Sequence, residues 1–167
     1  MPYTPDGSKP YYLRLRICLL EGFGDKYKGI YKTIDALSTT TLEDLHQEIF
    51  TLFERYDPHL WEFQFATRRP FGRSGVHIDS NGNVESWTVW LDLDEDQHPL
   101  DLTLADLSLG PRQYFFYIFD FGDLWIHKIS VSSYQEVKEA NPAPFRLVKS
   151  VGEVPPQYPD FEDEDEE

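Results

Sequence analysis

The chain has 167 residues, 40% of them hydrophobic and 16% aromatic, and its 15 basic and 30 acidic side chains give a net charge of −15. That length suits one domain with a proper core, and the apolar content is too rich for a disordered chain. The acidic balance disfavours direct nucleic-acid binding, because phosphates attract Lys and Arg, and the single cysteine, Cys18, excludes an internal disulfide.

At the start, MPYTPDGSKP lacks the charged and apolar regions of a signal peptide, and no apolar run reaches membrane-spanning length. With the lone cysteine, this leads to the expectation of a soluble, cytoplasmic protein with no membrane role. In YYLRLRICLL, Leu13, Leu15, Ile17 and Leu19 alternate with Arg14 and Arg16, the period of a half-buried strand. Turn residues follow in EGFGDKYKG, and IYKTIDAL predicts a second strand of a hairpin.

The best helix lies in STTTLEDLHQEIFTLFERYDPHLWEF. Thr40 and Glu43 predict a capping box, while Leu42, Leu45, Ile49, Leu52 and Phe53 form one apolar face. Asp57-Pro58 is the expected stop. His46 borders the apolar face and reads as a hydrogen-bonded core residue. Beyond the stop, Trp61, Phe63 and Phe65 alternate with Leu60, Glu62 and Gln64, which predicts a strand.

The middle is a loop followed by one or two short strands. Arg68, Arg69 and Arg73 are its basic concentration, either a solvated loop or an anion contact. Asp92, Asp94 and Asp96 alternate as in a calcium loop, but the central glycine is missing and Thr103 stands where the closing glutamate belongs. DLTLADLSLG predicts a short helical turn packing Leu104 and Leu107, ended by Gly110-Pro111.

QYFFYIFDFGDLWIHKISVS then predicts two strands around a turn. Tyr114 to Phe119 reads as a strand buried on both faces, with Asp120 to Asp123 as the turn and Gly122 able to take positive φ. A four-residue loop would pair Trp125 with Ile118 and His127 with Phe116. His127 would then sit among apolar neighbours and need a partner, from Asp120, Asp123 or the backbone. Asp-Phe-Gly also occurs in protein kinases, but the other kinase elements are missing, as are Rossmann, phosphate-loop and Gly-x-Ser-x-Gly patterns. Seven acids fill DFEDEDEE, and without them 23 acids face 15 bases, or −8. The expected division is a domain over residues 1–159 and a flexible acidic tail over 160–167.

Three blocks carry a resemblance: YYLRLRICLL, TLEDLHQEIFTLFERYDPHLWEF and YIFDFGDLWIHKI. In order and spacing the chain resembles the plasmid pRi open-reading-frame-three-like family, also labelled a TnpR-type passenger of insertion elements. The hallmarks fall on Leu45-His46, His59-Leu60, and Tyr117, Asp120, Phe121, Gly122, Asp123, Trp125 and His127. One departure is the end, where Pro155-Pro156 leads into QYPDFEDEDEE. The resemblance implies an α+β fold, a single domain with an antiparallel sheet packed against one main amphipathic helix plus short helical turns. It implies no reaction, and the TnpR label does not imply recombinase chemistry.

Two function classes follow. The first is a non-enzymatic module that binds another protein, linked to mobile elements, phage or defence systems, with no catalytic residues, metal or cofactor. The second is a metal-assisted or acid–base enzyme built on His46, His59, Asp120, Asp123 and His127; an acidic charge mimic is a further alternative. The residues offered to a ligand or partner are His46, His59, Asp120, Asp123, Trp125 and His127, and those offered to an anion are Arg68, Arg69 and Arg73.

Overall fold

The computed structural model describes residues 2–87, 93 and 96–159. The acidic tail over 160–167 and the calcium-like Asp92 and Asp94 lie outside the described residues. The chain opens with β1 (Tyr11–Gly22), the short β2 (Asp25–Lys26) and β3 (Tyr31–Leu37), then α1 (Leu42–Leu52). Next come β4 (Trp61–Phe65), β5 (Val76–Asp79), β6 (Val84–Ser86) and a 3₁₀ turn at Pro99–Asp101. The last elements are β7 (Tyr114–Phe119), β8 (Trp125–Glu136) and β9 (Phe145–Val151). Among the described residues the strands form one antiparallel sheet ordered β6-β5-β4-β7-β8-β1-β3-β9, with β2 paired to β1. The fold is α+β, with α1, the one α-helix among the described residues, packed on the sheet.

The period-two pattern explains which face it covers. Leu13, Leu15, Ile17 and Leu19 of β1 join Trp61, Phe63 and Phe65 of β4 and Phe115, Tyr117 and Phe119 of β7 in the main core. Leu42, Leu45, Ile49 and Phe53 close that core from the helix. On the opposite face Phe116, Ile118 and Ile126 form a smaller buried cluster, so β7 is covered on both sides. Farther along that face, Arg14 and Arg146 both bind the buried Asp35 carboxylate.

Three local expectations shift. The capping box uses Thr41 and Asp44, one residue later than expected. Thr40 instead donates its hydroxyl to Leu37 O at 2.6 Å. The helix ends at Leu52, well before Asp57-Pro58. Glu54 turns left-handed at φ 56°, and its N–H and that of Arg55 bond back to Thr51 O and Phe50 O. That pattern is a Schellman closure with glutamate where glycine is usual. The β7–β8 loop is residues 120–124, so Phe119 pairs with Trp125 and Tyr117 with His127. The positive φ angles there belong to Asp120 (67°) and Leu124 (53°), not to Gly122. Among the described residues no helix is long and apolar enough to cross a membrane.

Candidate functional site

β4 and β7 run side by side, and the hallmark residues gather where Trp61 pairs with Phe119. The tight β7–β8 turn builds this end. Asp120 Oδ1 accepts from the N–H of Gly122 at 2.9 Å and of Asp123 at 3.3 Å, which leaves Oδ2 facing His59 Nε2 at 3.5 Å. The backbone N–H of Asp120 donates to Leu60 O, tying the turn to the segment before β4. His59 Nε2 also lies 2.7 Å from the Tyr158 hydroxyl, which itself meets Asp57 Oδ2 at 2.5 Å. A phenol has one proton, so a hydroxyl that donates to Asp57 accepts from His59 Nε2–H. Donation to Asp57 pushes the Tyr158 phenol up to about 12. Partial burial, then the neighbouring Asp120, pushes the Asp123 carboxyl up.

The strap that carries Tyr158 is fastened to the turn after α1. Gln157 Oε1 accepts from the N–H groups of Tyr56 and Asp57, and its Nε2 donates to Asp57 O. Arg55 donates from Nη1 to Pro155 O at 2.9 Å. Nothing in the sequence pattern pointed to Gln157, because its partners lie far away along the chain.

A second group of hallmark residues lies inside. His46 is buried, stacked on Trp61 at 4.1 Å between centroids, with Nδ1 2.5 Å from the Tyr117 hydroxyl. Burial lowers its pKa to about 4, and burial raises that of Tyr117, so both groups are neutral near pH 7. His127 donates from Nδ1 to Tyr117 O at 3.1 Å, since a carbonyl only accepts. Of the three partners expected for it, Asp120, Asp123 or the backbone, it takes the backbone. Its Nε2 has no hydrogen-bond partner among the described residues, and burial lowers its pKa to about 3. Tyr117 therefore bridges both histidines, through its hydroxyl and its backbone. Trp125 is fully buried, with the Arg55 guanidinium 4.1 Å above its ring. A Cβ on Gly22 would come within 1.8 Å of that indole, so this position requires glycine.

The hallmark histidines thus do not converge. Phe119 stands between His46, 6.4 Å from its ring, and His59, 6.0 Å away. Among the described residues no group of three or more His, Cys, Asp or Glu side chains could hold a metal ion. Arg68, Arg69 and Arg73 are exposed on the β4–β5 loop, at the other end of β4.

The family model described as plasmid pRiA4b ORF-3-like protein matches residues 13–160. The chain belongs to that family. The match spans both the surface group and the interior pair. No curated protein matches the chain. Among solved structures, this plasmid pRiA4b ORF-3-like chain is similar to protein MM3350 of unknown function from Methanosarcina mazei Go1. The two share 18% identity over 90% of this chain and 74% of that one, with a TM-score of 0.60. That likeness concerns the fold.

Proposed function

We propose that the chain is a protein-binding module, and that its docking surface is the end of the sheet holding His59 and Asp120. The occupant is a basic segment of a partner protein. The observation that carries this reading is a set of exposed apolar side chains, Tyr56, Leu60, Phe121, Leu124 and Tyr158, around Asp57, Asp120 and Asp123. Aromatic faces accept the cations of Lys and Arg, and carboxylates pair with them, so one segment can use both. The described chain leaves this surface at Pro159, and the seven acids of 160–167 follow in sequence, adding charge that would speed encounter with a basic partner.

Catalysis has less support. His46 and His127 are buried and neutral, and only His59 of the hallmark histidines faces the surface. The link to mobile elements, phage or defence systems rests on resemblance alone.

Selection of a random peptide library on the whole chain, followed by fluorescence anisotropy of the enriched peptides, tests this. Lys- and Arg-rich peptides should be enriched and should bind more weakly as salt rises. A Leu60→Ala/Phe121→Ala variant should bind them about tenfold more weakly with its folding intact, as expected for lost anchors. Enrichment of neutral or acidic peptides, or full binding by the variant, would refute the reading.

A further inference from the structure

At the opposite end of β4 and β7, where Phe65 pairs with Phe115, two loops face each other. One is the β4–β5 loop, and the other is the segment leading from Leu107 into β7. Between them lies a cavity of about 580 Å³ floored by the buried Phe65, Leu107 and Leu109 and rimmed by Arg68, Arg112 and Gln113. A second cavity of about 560 Å³ shares Thr67 and Arg68 with it and adds Arg69 and Arg73. Both volumes fall in the range of small-molecule sites, roughly 300–1,000 Å³.

Charge singles out this place, and the backbone shapes it. Four of the eight arginines of a chain with net charge −15 line the two cavities. Among the described residues, none of these four takes part in an ion pair, whereas Arg14 and Arg146 do. Like charges crowded in one loop are no help to folding, and acids are plentiful enough to have neutralised them. Ala66, Ser108 and Arg112 are left-handed at φ 54°, 51° and 74°, and all three line the first cavity. Such backbone is strained and persists where the surroundings enforce it, often around ligands. At position 112 it places a cation on the same cavity as Arg68, which lies more than forty residues earlier.

We infer that this cavity binds a small organic anion with an apolar body, the body resting on Phe65, Leu107 and Leu109 and the anionic group held by Arg68 and Arg112. Carboxylate, sulfonate and phosphate share the required chemistry. Guanidinium forks suit all three, and the apolar floor asks for a ring or short hydrocarbon. The site lies away from the proposed docking surface and stands whether or not that surface binds a peptide.

The test uses the whole chain and the fluorescent probe anilinonaphthalene sulfonate, titrated and then displaced by phenyl phosphate, phenylacetate or inorganic phosphate. The probe should saturate one site. Both aromatic anions should displace it, and their ranking distinguishes a phosphate from a carboxylate preference. Inorganic phosphate should compete about tenfold less well, since it gains nothing from the apolar floor. Arg68→Gln and Arg112→Gly should each weaken the probe about tenfold, the scale of one charge-assisted contact. Glycine adopts the φ of position 112 freely, so Arg112→Gly should keep or raise the melting temperature, which separates lost binding from lost folding. Leu147→Ala, exposed on the edge strand β9 and part of neither site, should bind as the parent does. Probe binding that is absent, that survives both arginine substitutions, or that inorganic phosphate displaces as well as phenyl phosphate does would overturn the assignment.

Discussion

The β4–β7 ladder has two unlike ends. At the Trp61–Phe119 end, carboxylates and exposed aromatic rings surround a turn whose donors are satisfied by Asp120. At the Phe65–Phe115 end, guanidiniums with no ion-pair partner among the described residues rim an apolar hollow. The ladder between Trp61 and Phe65 is four steps, about 13 Å at the usual strand rise. One short pair of strands therefore separates charge of opposite sign. Tyr117 occupies the middle, bound to His46 by its hydroxyl and to His127 by its carbonyl. The contrast teaches that one short ladder holds surfaces of opposite charge on either side of a neutral, hydrogen-bonded interior, so the two proposed sites can be broken one at a time.

The strongest way to break that arrangement is to remove what supports one end only. Trp125 packs under Arg55, which in turn holds Pro155 of the strap beside the acidic end. Trp125→Ala should cost about 3–5 kcal/mol, the range for truncating a buried aromatic residue. Urea denaturation gives the cost, and probe binding at the arginine cavity in the still-folded protein should persist. A cost under about 1 kcal/mol would mean that the indole is not a core element.

Acid should act on the interior, between the two ends. His46 and His127 titrate at about 4 and about 3 when folded, below their ordinary value of 6.5. As pH falls below about 6.5 the unfolded chain takes up protons that the folded rings refuse, so stability drops. The loss is at most about 1.4 kcal/mol per pH unit for each histidine and continues until the folded rings titrate. Above that window both states carry neutral rings and the contribution is complete. Urea midpoints measured from neutral to mildly acidic pH should show the decline, and His127→Leu should flatten it. An identical slope in the variant would rule out His127 as a source.

These surfaces were unevenly readable from the chain. The alternation of Leu13 to Leu19 with arginines, and the apolar face from Leu42 to Phe53, placed β1 and α1 because burial of one face dictates both periods. β9 was missed. It is an edge strand whose Leu147 and Val148 are exposed, so burial leaves no alternating pattern there. The capping box was misplaced by one because Thr40-Glu43 and Thr41-Asp44 fit the same spacing, and only the Thr40 bond to Leu37 O separates them. The β7–β8 register slipped because Asp120 and Leu124, not Gly122, take the left-handed conformation. Arg68, Arg69 and Arg73 were visible as a local run, but Arg112 joins them only through the sheet. The family hallmarks located His59 and Asp120, yet only the folded chain separates them from His46 by the ring of Phe119.

A smaller effect concerns the bond that ties the helix to β7. His46→Leu leaves the buried Tyr117 hydroxyl without its partner and should cost about 1–3 kcal/mol. Adding Tyr117→Phe removes the orphan, so the double variant should be more stable than the sum of single losses predicts. Thermal or urea unfolding of the four proteins in the cycle reads the coupling. Simple additivity would mean that the 2.5 Å contact carries no energy of its own.

The smallest expected effect compares backbone strain at the two ends directly. Glu54 closes α1 beside the acidic end at φ 56°, and Ser108 lines the arginine cavity at φ 51°. Each residue carries a Cβ that the left-handed region disfavours by roughly 1–2 kcal/mol. Glycine relieves that cost but brings a more flexible unfolded chain, which takes back about 0.4–1 kcal/mol. The net gain for Glu54→Gly and for Ser108→Gly should then be about 0.5–1 kcal/mol each, read as a rise in urea midpoint without a change in slope. The two gains should add in the double variant, because the sites lie at opposite ends of the sheet and share no partner. Loss of stability at position 108 with a gain at 54 would show that the Ser108 side chain, not the turn alone, shapes the cavity wall. Equal gains would show that strain is a property of both loops, and that only charge tells the two ends apart.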